Sequence, residues 1–232
     1  MWNNYFAQIR KKYSMRVSQK NPLVINLDGK DATKNKMLNL VINHENGFLQ
    51  NMQRTVEFFT RKYNCISIFG ADEVSFIFLN PTELVSDLNS DKNYYSNEIL
   101  AVFSQYFFDY FNNETSKEKI FWHGKCFSIP QEKVKSYIKY KKELIKNVVT
   151  TYFLKRKGIN NAGKIKSKER IEKCKEYKEE YAKISNIENG ILYLNGDRID
   201  IQEYLNGNIK KIEALEKNKN LDYFDITQWN EE

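Results

Sequence analysis

The segment "NCISIFGADEVSFIFL", residues 64–79, constrains the fold more tightly than any other stretch of the chain. Two short runs rich in Ile, Val and Phe flank Gly70-Ala71-Asp72-Glu73, a pattern that predicts a β-hairpin with polar residues at its tip. A turn calls for polar residues but not for two adjacent carboxylates, so Asp72 and Glu73 need a further reason. The same question arises at "LVINLDGK", Leu23 to Lys30, where an apolar run ends abruptly at Asp28-Gly29 and reads as a strand entering a turn.

Around these two junctions the periodicity alternates between strand and helix. Phe48, Leu49, Met52, Val56 and Phe59 recur at helical spacing within Phe48–Lys62, and "YYSNEILAVFSQYFFDYF" predicts a second apolar helix over Tyr94–Phe111. A strand is expected at Ile120–Ile129, and Pro130 opens a long helix through about Lys157. Its apolar face is Val134, Ile138, Ile145, Val149 and Phe153, with Lys-rich sides elsewhere. After Gly158 the highly charged "INNAGKIKSKERIEKCKEYKEEYAKI" predicts a flexible loop and then a solvated helix. Asn195-Gly196 between alternating apolar runs marks another hairpin, followed by a polar helix and tail. The order predicts an α+β fold: a palm-like, ferredoxin-like antiparallel sheet backed by helices on one face, with a charged helical and hairpin C-terminal region. Residues 1–157 would form the palm-like catalytic domain, and residues 158–232 would pack on it or extend it.

Composition narrows the setting. At 41% hydrophobic and 14% aromatic, the 232 residues hold ample material for a core. No run approaches the ~20 apolar residues that cross a bilayer, and "MWNNYFAQIRKKYSMRV" has no uninterrupted apolar segment of the secretory kind. The expectation is a cytoplasmic protein with no membrane partner. Cys65, Cys126 and Cys174 are widely separated and lack C-x-x-C spacing, which predicts reduced thiols rather than a disulfide frame or zinc site. The net charge of +7 favours an anionic partner such as nucleic acid or nucleotide, although seven Arg among 37 basic residues leave few bidentate phosphate contacts.

If the strand at Leu23–Leu27 lies beside the hairpin, Asp28 and Asp72 project into one site. Two converging carboxylates repel unless a cation neutralises them. Mg²⁺ suits such a pair, because it takes oxygen ligands, keeps several waters and is completed by substrate phosphates. Two ions ~3.5–4 Å apart can activate a hydroxyl and stabilise a leaving phosphate oxygen. Gly29, lacking a side chain, would let a carbonyl approach the same ion, and Glu73 would be an outer ligand or would orient one. Each junction read alone is more often a solvated turn.

"KKYSMRVSQKNPLVINLDGK" followed by "FLQNMQRTVEFFTRKYNCISIFGADEVSFIF" resembles the tRNA-histidine guanylyltransferases and their relatives, the 3′-to-5′ polymerases. That family carries a strand ending in Asp-Gly-Arg/Lys, a helix with Met-x-x-Thr and a hairpin with Ser-Asp-Glu. Asp28, Gly29 and Lys30 match the first element, Met52 and Thr55 the second, and Asp72, Glu73 and Ser75 most of the third. "WHGKCFSIPQEKVKSYIKYKKELIKN" is similar to the family's later strand and Pro-started helix, so the likeness spans roughly residues 10–155. The departures are Ala71 in place of Ser, Ala32 in place of an aromatic, and His123 and Lys125 in place of Asp and Arg. On the long helix, Tyr140, Lys141, Lys142, Leu144, Lys146 and Asn147 stand where the family shows a different motif.

The resemblance implies a metal-dependent nucleotidyltransferase that adds nucleotides to the 5′ end of tRNA or similar RNA bearing a 5′ phosphate, using two Mg²⁺ ions with ATP and GTP as substrates. It implies catalytic roles for Asp28, Asp72 and Glu73, and metal ligation by Asp28, Gly29 and Asp72. Nucleotide contacts would come from Gly29, Lys30, Ala71, Lys141, Lys142 and Lys146, the three lysines standing on the exposed side of the long helix. A homo-oligomer, dimer or tetramer, is expected by the same likeness. Two other readings stay open: a palm-type cyclase making a small nucleotide signal, and a catalytically silent RNA- or protein-binding module. His44 and His123, the two histidines, read as ordinary polar residues, and Tyr94, Tyr95 and Tyr140 as core or rim aromatics.

Overall fold

A computed structural model of the chain describes residues 16–29, 47–88, 95–113 and 120–207. Lys30, Ala32, His44 and Tyr94 lie outside the described residues, as does the tail after Gly207. The elements are β1 (Leu23–Gly29), α1 (Phe48–Lys62), β2 (Ile66–Gly70), β3 (Glu73–Phe78), α2 (Pro81–Leu88), α3 (Ser96–Asn113), β4 (Trp122–Ser128), α4 (Val134–Arg156), α5 (Ser167–Lys175), α6 (Lys178–Glu188), β5 (Ile191–Leu194), β6 (Asp197–Ile199) and α7 (Ile201–Asn206). The six strands form one antiparallel sheet in the order β4-β1-β3-β2-β5-β6.

The two predicted hairpins form, each for a local reason. β2 turns into β3 through Ala71-Asp72, with Gly70 opposite Glu73. At the second hairpin Asn195 and Gly196 have φ 52° and 87°, two consecutive left-handed residues that a type I′ turn requires. That hairpin is an integral part of the sheet: β5 hydrogen-bonds along β2, from Ile66 opposite Leu194 to Phe69 opposite Ile191.

Side chains alternate across the sheet, so register assigns its two faces. One face carries Leu27, Phe76, Phe78 and Trp122 against α1 and α3. Phe59 of α1 and Phe103 and Phe107 of α3 surround Phe76 at ring-centroid distances of 5.1–6.0 Å. Trp122 meets Phe107 edge-on at 5.0 Å. Phe76, Phe103 and Phe107 are fully buried, and each such ring contributes about 2–3 kcal/mol by leaving water.

The opposite face is covered by α4, so helices occupy both faces of the sheet, where the sequence predicts one. The sequence signals helix and strand periods well, but not which side of a sheet each helix takes. α5 and α6 pack against α4, so the charged stretch is solvated on one side only, where the sequence predicts a solvated helix. Arg170 of α5 is 6% exposed and donates from Nη2 to Asn147 Oδ1 at 2.8 Å and from Nη1 to Thr151 Oγ1. Cys174, Ile184 and Ile187 are buried as well. The free thiols follow the sequence reading: Cys65 and Cys174 are buried and Cys126 half-buried. Among the described residues no helix is long and apolar enough to cross a membrane.

Candidate active site

The C-terminal end of β1 and the β2–β3 turn are neighbours because β1 runs antiparallel to β3. Asp28 pairs with Glu73 in the strand register, and the Gly29 N–H donates to the Asp72 carbonyl at 2.9 Å. The turn itself is unusual. Ala71 is 3% exposed and has φ 57°, a left-handed conformation that costs a non-glycine residue about 1 kcal/mol.

Alternation along the paired strands puts Asn26 and Asp28 of β1, Glu73 and Ser75 of β3, and His123 and Lys125 of β4 on the α4 face. The helix crosses this face obliquely. Tyr137 meets Ser75 and Phe127 near the start of α4, and Ile145, two turns on, lies against Gly70. A Cβ on Gly70 would fall 2.5 Å from Ile145 Cγ2, so glycine there lets α4 settle onto the hairpin tip. The crossing leaves Asp28 and His123 uncovered, with side chains 44% and 62% exposed, and His123 Nε2 is 3.8 Å from Asp28 Oδ2.

Between helix and sheet lies a polar chain. Ser75 Oγ donates to Asn26 Oδ1 at 2.6 Å and is 3.0 Å from the Tyr137 hydroxyl. Burial pushes the Tyr137 phenol up to about 12, so it stays protonated as a donor. Lys141 Nζ donates to the same Asn26 oxygen at 2.9 Å and to Glu73 Oε2 at 2.6 Å. The Lys141 side chain is 4% exposed and that of Glu73 14%. This corrects the expectation that Lys141 stands on the exposed side of the long helix. Lys141 falls on the inward stripe with Val134, Ile138, Ile145 and Val149, and its ammonium is buried because a carboxylate and an amide oxygen wait there. Lys142 and Lys146 are half-buried on a neighbouring stripe, and Lys142 lines a cleft of about 500 Å³ with Ser185, Asn189 and residues of β5 and β6.

The two aspartates are left to repel each other. Asp72 is pushed up to about 6, first by burial, then by the charges of Asp28 and Glu73, against the opposing pull of its own backbone N–H and of Lys141. Asp28 is raised as well, chiefly by burial; His123 opposes the shift, Glu73 adds to it and Lys141 opposes it. Among the described residues no group of three or more His, Cys, Asp or Glu side chains is arranged as a metal cage. The donor chemistry at hand is two hard carboxylates and backbone carbonyls, which fits a hydrated Mg²⁺ and not a site closed by protein ligands.

Asn26 and the burial of Lys141 escaped the sequence reading, though both left a signal. Asn26 interrupts the apolar run two residues before Asp28 and so shares its face, and Lys141 takes an inward position of the repeat Val134, Ile138, Ile145, Val149.

No family model matches the chain, and no curated protein does. Among solved structures the chain is similar to a bacterial tRNA(His) guanylyltransferase-like protein in complex with ATP, at TM-score 0.60 and 14% identity over 83% of this chain and 84% of the other. It is similar to a bacterial protein of the same description in complex with GTP, at TM-score 0.60 and 12% identity over 92% and 97%. The tRNA(His) guanylyltransferase of Saccharomyces cerevisiae matches at TM-score 0.50 and 16% identity over 84% and 94%. At these identities the likeness establishes a shared palm-type fold, over nearly the whole of each chain.

Proposed function

We propose that this chain is a metal-dependent nucleotidyltransferase that joins nucleotides to the 5′ end of tRNA or a tRNA-like RNA, drawing on ATP and GTP. The observation that carries the reading is the meeting of Asp28 and Asp72 at one end of a sheet whose fold is shared with proteins solved with ATP and with GTP. The charge of Asp28 raises the proton affinity of Asp72, so the ionised pair is held at an energetic disadvantage, which a divalent cation would remove.

In this reading Asp28 and Asp72 hold Mg²⁺, with the Gly29 carbonyl as a third oxygen. The bound ion supplies charge neutralisation for the phosphates and lowers the proton affinity of a coordinated hydroxyl. The chain's own residues do the positioning. The Gly29-to-Asp72 hydrogen bond fixes the spacing of the two strand ends. Lys142, which lines the cleft, and Lys146, both half-buried, offer ammonium groups to a triphosphate or to the RNA backbone. The exposed His123 imidazole borders Asp28 on the side away from Glu73, and Lys125 lies two residues along the same strand face. An assembly of two or four copies and a cytoplasmic setting belong to the same proposal.

The test is a single incubation of α-labelled GTP, Mg²⁺ and 5′-phosphorylated tRNA, with and without ATP. The expected result is label at the RNA 5′ end, absent in Asp72→Asn. Turnover that ignores RNA and yields a free nucleotide product would point to a palm-type cyclase instead, and no turnover with any RNA would point to a binding module.

A further inference from the structure

We propose that Lys141 is a built-in counter-ion for the acid cluster, a positioning residue that withholds Glu73 from metal coordination and so confines divalent ions to Asp28 and Asp72. The inference rests on the reading of Asp28 and Asp72 as metal ligands and goes beyond it by assigning the third carboxylate and the one buried ammonium of the site.

Three observations carry it. Lys141 is the sole lysine among the described residues with a fully buried position, at 3% exposure, and its Nζ is 2.6 Å from Glu73 Oε2. A lysine does not enter a core without a reason, because desolvating its charge is expensive unless a partner repays it. Here the repayment is double, since Asn26 Oδ1 accepts at 2.9 Å and is itself fixed by Ser75 at 2.6 Å. Ser75 in turn contacts the Tyr137 hydroxyl one turn before Lys141 on α4. The ammonium is therefore held from both strands, and it cannot swing away as a surface lysine does.

The second consideration is charge. Asp28, Asp72 and Glu73 bring three negative charges to adjacent ends of β1 and β3. Lys141 cancels one of them permanently and locally, at the carboxylate nearest the helix. The pair left over includes Asp28, which is open to solvent beside His123 and accessible to an ion arriving with its waters. Lacking Lys141, Glu73 would be a third free carboxylate able to compete with Asp28 and Asp72 for an ion. Lys141 thus acts on where a metal sits and how tightly it is held, a role distinct from simply filling the core.

A purely structural buried ion pair and a metal-confining one predict opposite signs for metal affinity, which makes the inference testable. Mn²⁺ serves as the probe, counted as free ion by electron paramagnetic resonance, with thermal unfolding of the full chain followed in parallel. Glu73→Gln alone is expected to weaken Mn²⁺ binding only moderately, through the repulsion of the ammonium it leaves unpaired, with Asp28 and Asp72 still the ligands. Lys141→Met is expected to bind Mn²⁺ at least about tenfold more tightly, and its melting temperature should rise more on adding Mn²⁺ than that of the wild type. The double variant Lys141→Met/Glu73→Gln should return to wild-type affinity, as should Lys141→Arg, which restores the cation. A double variant Lys141→Met/Glu73→Gln that binds Mn²⁺ at least about tenfold more weakly than the wild type would overturn the proposal by making Glu73 a ligand, and this variant, which leaves no unpaired buried charge, serves even if Lys141→Met fails to fold. Unchanged affinity in a folded Lys141→Met would overturn it too, while leaving the metal reading of Asp28 and Asp72 intact. Mn²⁺ binding that is indifferent to Asp28→Asn and Asp72→Asn overturns both at once, so the two failures are told apart.

Discussion

Asp28 and Glu73 face each other as register partners across β1 and β3, yet their carboxylates keep different company: Glu73 is clasped by a buried ammonium, and Asp28 opens to solvent beside His123. This division of two adjacent acids into a neutralised one and a free one organises the site. Each consequence can be measured.

The first concerns pH. Asp72 titrates near 6 in the folded chain against about 3.9 for an unperturbed aspartate. The folded state therefore binds more protons than the unfolded one between about pH 4 and 6, and stability falls as pH rises through that window. Asp28, raised as well, adds to the same slope. Chemical denaturation of metal-free protein from pH 4 to 7 should show this decline, and Asp72→Asn should flatten most of it and be the more stable protein at pH 7.

The polar chain beneath the site gives a second prediction. Ser75→Ala removes the donor to Asn26 and a partner of the Tyr137 hydroxyl at a fully buried position. It is expected to lower unfolding stability by about 1–3 kcal/mol, measured by urea denaturation at constant pH.

Packing at the hairpin tip supplies the third. Gly70→Ala would place a methyl group 2.5 Å from Ile145 Cγ2 and force α4 outward. The expected loss is about 1–3 kcal/mol, and a double-mutant cycle with Ile145→Ala, which removes Cγ2, should show favourable coupling. Because Lys141 lies one turn from Ile145, the single variant should lose activity out of proportion to its stability.

Much of this architecture could be read from the chain before any coordinates, and the failures are instructive. The hairpins were legible because their turns need particular residues: Asn195-Gly196 tolerates the left-handed backbone, and Gly70-Ala71-Asp72-Glu73 separates two β-branched and aromatic runs. The meeting of β1 with that hairpin was legible as a condition, and the register supplies it. What was not legible is non-local. The partner of β5 is β2, more than a hundred positions earlier, and nothing in "GILYLNGDRIDI" names it. The charged look of α5 hid Arg170, whose guanidinium is buried because Asn147 and Thr151 of α4 receive it. Lys141 was hidden by its own chemistry, since a lysine on a lysine-rich helix reads as solvated until Glu73 is placed opposite it.

A fourth prediction addresses the proposed substrates. Lys142 and Lys146 are expected to contact phosphates, so Lys142→Ala and Lys146→Ala should each weaken RNA binding and reduce the slope of log affinity against log salt by about 1. Fluorescence anisotropy with labelled tRNA at several salt concentrations reads both quantities, and an unchanged slope would remove these residues from the phosphate path.

The most direct measurement is a crystal of the full chain grown with Mn²⁺ and a non-hydrolysable GTP analogue, with diffraction recorded at the manganese absorption edge. The account predicts an anomalous peak within coordination distance of both the Asp28 and Asp72 carboxylates and touching the triphosphate, with Glu73 still held by Lys141. A nucleotide bound with no manganese between the two aspartates, or manganese seated elsewhere, would contradict it.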